Sequence, residues 1–208
     1  MQHKDVLITY KVFFACLGLG AVLQEMLVLI DRGTFNFINF FSYFTNQSNL
    51  FAGIMLLVGA YALWKGSKSA TIGLFRGAAT LYMIITGVVF AVLLSDGDPN
   101  ELTAVPIDNL ILHYIMPVVL LLDWIIDQPK RKIAYRLALL WLAYPITYAV
   151  CSLIRGSNSG FYPYPFLNPD NGGYGTVFLY ILGIAAFVAF AARLLTLLPL
   201  NKRKSKKA

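Results

Sequence analysis

Six long apolar stretches follow one another along the chain, separated by short links that carry Gly, Pro, Asn or charged residues. A helix needs about 20 mainly apolar residues to cross the hydrocarbon core of a bilayer. The pattern therefore predicts an all-α membrane protein, a single bundle of six transmembrane helices that forms one domain over residues 1–200, followed by a basic tail at 201–208. The predicted spans are residues 7–30, 40–64, 72–95, 108–127, 133–154 and 175–198.

The composition agrees with a chain that lies in lipid. Of its 208 residues, 58% are hydrophobic and only 13% are charged. About a quarter of the residues are charged in a typical soluble domain, so the composition argues against a soluble or disordered protein. The two cysteines are too few for a disulfide scaffold, and the two histidines are too few for a bis-histidine haem or a histidine-rich di-iron site within the membrane. We expect no cofactor and no metal.

The basic residues concentrate in alternate links, which predicts the orientation of the chain. Cytoplasmic links of membrane proteins carry an excess of Lys and Arg. We therefore predict a multi-pass integral membrane protein with both termini in the cytoplasm, in the inner or plasma membrane if the cell is bacterial. The basic residues concerned are Lys4, Lys65, Lys68, Lys130, Arg131, Lys132, Lys202, Arg203, Lys204, Lys206 and Lys207, and the acidic residues of the opposite side are Asp31, Asp96, Asp98, Glu101, Asp108 and Asp170.

The formal net charge of +7 suggests a second interpretation of the tail. In isolation, its run of Lys and Arg resembles a patch that binds nucleic acid. Directly after a span, its expected role is to fix the topology and to contact anionic lipid headgroups. We therefore expect membrane lipids as partners and no nucleic acid.

Five consecutive polar residues, 45–49, lie just inside the outer end of the second predicted span. Thr45, Ser48 and Asn49 share one helix face, which we expect to point into the bundle because lipid cannot satisfy polar groups. His113 lies in the fourth span, which also runs inward from the outer side. Thr45 and His113 each lie about five residues, or 7–8 Å, below the start of their spans, so we expect them at equal depth.

Further polar residues fall at the same depth. Glu25 lies near the outer end of the first span, and Tyr148 and Arg155 lie in or near the outer part of the fifth. We consider all three as orienting residues. Glu25 in particular could orient His113 or carry a proton, but an ion pair with Arg155 or Arg32 is at least as good an interpretation.

Proline interrupts two of the spans. Pro117 has no N–H, so the carbonyl of His113, four residues earlier, loses its helical donor. Pro145 does the same to the carbonyl of Trp141 in the fifth span. We expect a local kink beside the only histidine within the membrane.

The polar residue types fit acyl transfer. A threonine becomes a nucleophile when a neighbouring base takes its proton, and histidine is the usual base near neutral pH. Asn46, Ser48 or Asn49 could donate a hydrogen bond to a developing oxyanion. The alternative is structural: Thr45 bonds the carbonyl four residues back, and His113 bridges two helices. Spacing alone leaves both interpretations open.

Two regions outside this layer have alternative interpretations. Asp123 and Trp124 lie near the cytoplasmic end of the fourth span, where we interpret Trp124 as an anchor at the membrane interface. The link 156–173 is rich in Gly, Pro, Tyr and Asn. It is either a solvated loop or a lid that folds over the site and excludes water.

Three separated motifs cover most of the chain from the second span to the sixth. They are FSYFTNQSNL at 41–50, LHYIMPVVLLLDW at 112–124, and the segment 141–175, which contains YPYPFLNP at 162–169 and GYG at 173–175. In this order they resemble the androgen-induced-gene family of six-span membrane threonine hydrolases. The resemblance implies hydrolysis of fatty acid esters of hydroxy fatty acids, with the family threonine at Thr45 and the family histidine at His113.

These observations lead to a first functional hypothesis, a threonine-dependent hydrolase of lipid carboxylic esters. Its substrate would enter laterally from the bilayer, and its lipid chains would lie in an apolar cleft between helices. Two alternatives stay open. One is a small proton-coupled transporter in which Glu25, His113 and Arg155 form a relay, with Pro117 and Pro145 as hinges. The other is a non-catalytic lipid-binding membrane protein.

Overall fold

The computed structural model describes residues 3–95 and 103–198, which are all-α and contain no strand. Six of the described helices are long and apolar enough to cross a membrane, which confirms the predicted six-helix architecture. The predicted basic tail at 201–208 and the acidic residues Asp96, Asp98 and Glu101 lie outside the described residues. In chain order the helices are α1 (His3–Asp31), α2 (Phe37–Ser42), α3 (Phe44–Lys65), α4 (Ala70–Leu94), α5 (Pro106–Ile126), α6 (Tyr135–Ser159) and α7 (Gly173–Leu197).

The second span begins at Phe44 instead of residue 40, because a separate short helix precedes it. The side chain of Asn36 accepts a hydrogen bond from the Asn39 N–H at 2.9 Å and so caps the start of α2. Tyr43 is extended, with φ −75° and ψ 127°, and it ends α2 and begins α3. The polar run 45–49 therefore forms the first turns of α3, where backbone N–H groups lack partners within the helix.

The helices pack in an order that follows the chain. α1 lies along α3, α3 lies along α4, and α5 lies against both α4 and α1. α7 packs against α4 and against the first half of α6, Tyr135–Leu142, whereas the second half of α6, Ala143–Ser159, makes few contacts with α7. We call the end of the bundle where α1 begins and α7 ends the terminal end. The opposite end, with the links after α1, α4 and α6, is the loop end.

Three spans depart from regular α-helix geometry. α4 ends in a π-helical turn, Phe90–Leu94, and α5 contains another, Ile111–Ile115. α6 contains a 3₁₀ turn, Leu139–Leu142, shortly before Pro145. α4 and α5 approach closely at Gly87, where a Cβ atom would lie 2.9 Å from the Cβ of Pro117. The proline therefore packs against a position that only glycine fits.

A buried cluster of charges joins α1, α4 and the end of α5 near the terminal end. Lys11, which is fully buried, contacts Asp123 and lies 3.1 Å from Asp127. Arg76 pairs with the same two carboxylates at 2.7 and 3.0 Å. Trp124 is 1% exposed and donates through Nε1 to the carbonyl of Leu195 at 3.0 Å. The interpretation of Trp124 as an interfacial anchor is wrong, because its ring packs inside the bundle against α7.

Candidate active site

Thr45 and His113 meet at the loop end of the bundle. The Oγ1 atom of Thr45, in the first turn of α3, lies 3.2 Å from Nε2 of His113, in the π-helical turn of α5. Both side chains are buried. The two residues that the depth argument paired thus lie within hydrogen-bond distance of each other.

The second ring nitrogen of His113 defines how the dyad is protonated. Nδ1 lies 3.2 Å from the backbone carbonyl of Asn109, one turn earlier in α5. A carbonyl oxygen only accepts hydrogen bonds, so this contact assigns the ring proton to Nδ1 and the lone pair to Nε2. The Thr45 hydroxyl then donates to Nε2. A neutral imidazole in this tautomer is oriented to take the proton of the threonine.

An aromatic ring fixes the plane of the imidazole. The ring of Phe90, in the π-helical turn of α4, stacks on His113 with a centroid separation of 3.9 Å and an interplanar angle of 20°. Stacking and the Nδ1 hydrogen bond restrict the ring in different directions. Nothing in the sequence pattern singles out Phe90, since an aromatic residue in a span is ordinarily a packing residue.

Asn49 ties the two helices of the dyad together. Its Nδ2 donates to the carbonyl of Thr45 at 2.9 Å and to the carbonyl of Leu112 at 3.2 Å. The N–H of Met116 bonds Ile111, five residues back, so the next donor in that register falls on Pro117, which has no N–H. Asn49 supplies the donor that Leu112 lacks. We expected Pro117 to leave the carbonyl of His113 without a donor. In the π-helical register the carbonyl opposite Pro117 is that of Leu112, and the side chain of Asn49 donates to it.

The predicted oxyanion donors point elsewhere. Asn46 donates to the carbonyl of Phe40 at 2.8 Å, which ties α3 to α2. Ser48 bonds the carbonyl of Thr45 at 3.1 Å and the hydroxyl of Thr86 at 2.8 Å. Both N–H groups of Asn49 are used as described above. All three side chains hold the first turns of α3 in place, and none is directed at Thr45 Oγ1.

Three further candidates lie apart from the dyad. Glu25 is buried and accepts hydrogen bonds from the N–H groups of Ala104 and Val105, so it caps the start of α5. Among the described residues it forms no ion pair with Arg32 or Arg155 and no hydrogen bond with His113, so the predicted ion pair and the predicted orientation of His113 are wrong. Its use as a proton carrier stays a prediction. Tyr148 donates to the carbonyl of Ser42 at 2.9 Å.

Arg155 contacts the loop-end surface of the site. Its guanidinium group donates to the side chain of Asn39 and lies over the ring of Phe161, 4.6 Å from the centroid. Tyr148 and Arg155 therefore hold α2 and the link after α6 against α6. They act on the shape of the site and do not touch the dyad.

The link after α6 folds over the dyad. Tyr164, in this link, lies with its hydroxyl 3.3 Å from Thr45 Oγ1 and 3.2 Å from the Thr45 backbone nitrogen. Its ring packs edge-on to Tyr43 and stacks on Phe166. We interpreted this link either as a solvated loop or as a lid, and its position over Thr45 is that of a lid. Sequence reasoning missed Tyr164 itself, although it falls within the YPYPFLNP motif.

An apolar cavity begins at Thr45 and Tyr164. It has a volume of ≈ 170 Å³, is open on one side, and runs between α4, α6 and α7. Among the described residues that line it, Thr45, Tyr164, Thr86 and Tyr148 have polar side chains and all others are apolar. Ligand sites of this kind are mostly apolar with a few polar groups that orient the ligand. The cavity thus offers an apolar chain access to Thr45.

Comparison of the chain with known family models, with curated proteins and with solved structures gives no match.

Proposed function

We propose that the protein is an intramembrane hydrolase of lipid carboxylic esters, with Thr45 as nucleophile and His113 as general base. The observation that carries the proposal is the 3.2 Å contact between Thr45 Oγ1 and His113 Nε2 at the polar end of an apolar cavity. A threonine hydroxyl that donates to a neutral, oriented imidazole is the arrangement that nucleophilic acyl transfer requires.

The reaction follows in two halves. Thr45 Oγ1 attacks the ester carbonyl carbon while His113 Nε2 takes the hydroxyl proton, and the carbonyl electron pair moves onto oxygen. The tetrahedral intermediate collapses and expels the alcohol, which takes the proton from His113. Water then attacks the acyl-threonine by the same steps, and the carboxylic acid leaves.

The cavity supports a substrate with long apolar chains. Its walls are formed by side chains of α4, α6 and α7, and the second half of α6 makes few contacts with α7. Ile146 and Val150 line the cavity on α6 and are about half exposed on the surface that would face lipid. We propose that the substrate enters from the bilayer between α6 and α7. The resemblance to the androgen-induced-gene family makes fatty acid esters of hydroxy fatty acids the first substrates to test.

The orientation in the membrane is part of the proposal. Lys4, Lys65, Lys68 and the run 130–132 lie at the terminal end, so we propose that this end faces the cytoplasm and the dyad lies towards the outer side. Labelling of single cysteines placed at the two ends with a membrane-impermeant maleimide tests this orientation. Cys16 and Cys151, which are both exposed, are first replaced by Ser, and reaction of Lys68→Cys in intact cells would then contradict the proposed orientation.

The experiment that tests the activity uses the purified full-length chain in lipid nanodiscs. Wild type is expected to hydrolyse an ester of a fatty acid with a hydroxy fatty acid. Thr45→Ala should reduce turnover to the background rate, and His113→Ala should reduce it by about 10²–10⁴-fold. The matched controls are Thr196→Ala, another buried threonine, which donates to the carbonyl of Arg193 at 2.7 Å, and His3→Ala at the exposed start of α1.

Two outcomes would contradict the proposal. The first is turnover by Thr45→Ala as fast as that of Thr196→Ala, because the hydroxyl would then have no chemical role. The second is wild-type protein that retains the bound ester intact over prolonged incubation, which would indicate a lipid-binding protein without catalysis.

A further inference from the structure

The hydroxyl of Tyr164 is the third polar group at the reacting atom. Among the described residues, Thr45 Oγ1 has two hydrogen-bond partners, His113 Nε2 at 3.2 Å and the Tyr164 hydroxyl at 3.3 Å. The same hydroxyl lies 3.2 Å from the Thr45 backbone nitrogen. Tyr164 belongs to the link that covers the site, and its ring is 9% exposed.

The directions of these hydrogen bonds follow from the groups involved. The Thr45 N–H only donates, so the Tyr164 oxygen accepts from it, and the proton of the tyrosine is left to donate. Thr45 Oγ1 gives its own proton to His113 and can therefore accept the proton of Tyr164. The resting site is one continuous chain of donors that runs from Tyr164 through Thr45 to His113.

Two groups in this chain are donors beside the nucleophile. The Thr45 N–H lies in the first turn of α3, where it has no acceptor within the helix. Burial raises the pKa of Tyr164 to about 12, so its hydroxyl keeps its proton at neutral pH. The amide and hydroxyl side chains of Asn46, Ser48 and Asn49 are engaged elsewhere, as described above.

We propose that the Tyr164 hydroxyl and the Thr45 N–H form the oxyanion hole, which makes Tyr164 a third catalytic residue. When Thr45 Oγ1 bonds the ester carbonyl carbon, the electron pair of the C=O bond moves onto the carbonyl oxygen. The Tyr164 O–H and the Thr45 N–H then donate to that oxygen instead of to their resting partners, and both keep their protons. The pair returns to the C=O bond as the alcohol leaves, and the two donors return to their resting partners.

This inference rests on the proposed hydrolase function, and its test uses Tyr164→Phe in the full-length chain in nanodiscs. Loss of one oxyanion donor is expected to lower kcat by about 10²–10³-fold, with KM near the wild-type value. A long-chain trifluoromethyl ketone forms a tetrahedral adduct with the threonine, and its oxygen occupies the same position. Its affinity should fall together with kcat. The matched control is Tyr10→Phe, which removes a hydroxyl that bonds the carbonyl of Val119 at 2.8 Å, away from the site.

The outcomes separate the inference from the function. If Thr45→Ala and His113→Ala are inactive while Tyr164→Phe is as active as Tyr10→Phe, the oxyanion role is wrong and the hydrolase stands. If Tyr164→Phe raises KM and leaves kcat and ketone affinity unchanged, the residue is part of the lid only. If wild type has no turnover, the function itself fails. Thermal unfolding and size-exclusion chromatography give the folded fraction, to which every rate is normalised.

Discussion

In the part of the chain that the structure describes, a charged cluster and a neutral polar cluster lie near opposite ends of the bundle, and α5 contributes to both. At the terminal end, Lys11 and Arg76 face Asp123 and Asp127, and Arg76 also donates to the carbonyl of Asp127 at 2.8 Å. At the loop end, Thr45, His113 and Tyr164 are neutral and bond one another at 3.2 and 3.3 Å. Asp123 and His113 are ten residues apart, or about 15 Å along the helix.

The two clusters differ in whether their polar groups pair with charged groups of the protein or line an open cavity. Lys11 and Arg76 pair with Asp123 and Asp127, and Lys130 also pairs with Asp127 at 3.3 Å, so the charged cluster joins α1, α4 and the end of α5. The neutral cluster has longer hydrogen bonds and lies at the polar end of an open apolar cavity. Burial of polar groups in a membrane is costly in both places. In the second arrangement Thr45 and Tyr164 also line the apolar cavity, so under the proposed function a substrate there can take over their hydrogen bonds.

The largest expected contrast is between Asp123→Ala and Thr45→Ala. Removal of Asp123 leaves Lys11 and Arg76 short of a carboxylate in a buried site and should lower the free energy of unfolding by about 3–5 kcal/mol. The rate per folded molecule should stay close to that of wild type. Thr45→Ala should do the opposite, with little change in stability and loss of turnover. Unfolding in detergent and turnover in nanodiscs measure the two effects.

A double variant sharpens this contrast. Lys11→Met combined with Asp123→Leu removes one cation and one anion and leaves Arg76 paired with Asp127 at 3.0 Å. It should be less destabilising than Asp123→Ala, because no charge loses its partner. Equal stability of wild type and Asp123→Ala would show that the charged cluster does not hold these helices together.

A smaller effect is expected at the contact between α4 and α5. In Gly87→Ala the new methyl group would lie 2.9 Å from the Cβ of Pro117 and 3.3 Å from the carbonyl of His113. We expect a loss of about 1–3 kcal/mol in unfolding free energy from overpacking, together with a fall in turnover because α5 shifts at the dyad. Thermal unfolding and kcat test both parts.

Gly20→Ala is the matched control, because its added Cβ would have no atom within 4 Å other than those of its chain neighbours and the nearby backbone of its own helix. It should leave turnover unchanged and stabilise the helix by about 0.5–1 kcal/mol. If Gly87→Ala behaved in the same way, the close contact at Pro117 would have no influence on His113.

The smallest effect on stability is expected in the cavity. Ala185→Phe places a ring in the cavity wall formed by α7 and should lower kcat/KM for long-chain esters more than for short-chain esters. Stability should change by less than about 1 kcal/mol, because the ring fills empty space. The comparison of ester chain lengths measures the effect. Leu182→Phe on the exposed side of α7 is the control, and an equal response of the two variants would argue that the chain does not bind there.

The six spans could be predicted from sequence because the length of an apolar stretch is a local property. The start of the second span could not, because it depends on the cap at Asn36 and on the extended backbone of Tyr43. The depths of Thr45 and His113 followed from chain direction and helix rise. Their contact required knowledge of which helices are neighbours, which spacing does not contain.

The partners of isolated charges were unpredictable for the same reason. Lys11, Arg76 and Asp123 lie on three helices, and nothing in the pattern of one helix reveals the others. Glu25 caps a helix that begins about eighty residues later in the chain. Trp124 has the depth of an interfacial residue, but the direction of its ring depends on α7. Tyr164 reaches Thr45 through an irregular link whose path no periodicity describes.

Because α5 contains a π-helical turn, the side chains before the turn and those after it point in different directions around the helix axis. An α-helix turns by about 100° per residue, so a wider turn of one extra residue changes the direction of all side chains beyond it relative to those before it. His113 lies within this turn and Asp123 beyond it. The chain can therefore aim its histidine at α3 and its aspartate at α1 from one continuous span. Deletion of one residue of this turn other than His113 would rotate one cluster away from its partners while the other kept its geometry.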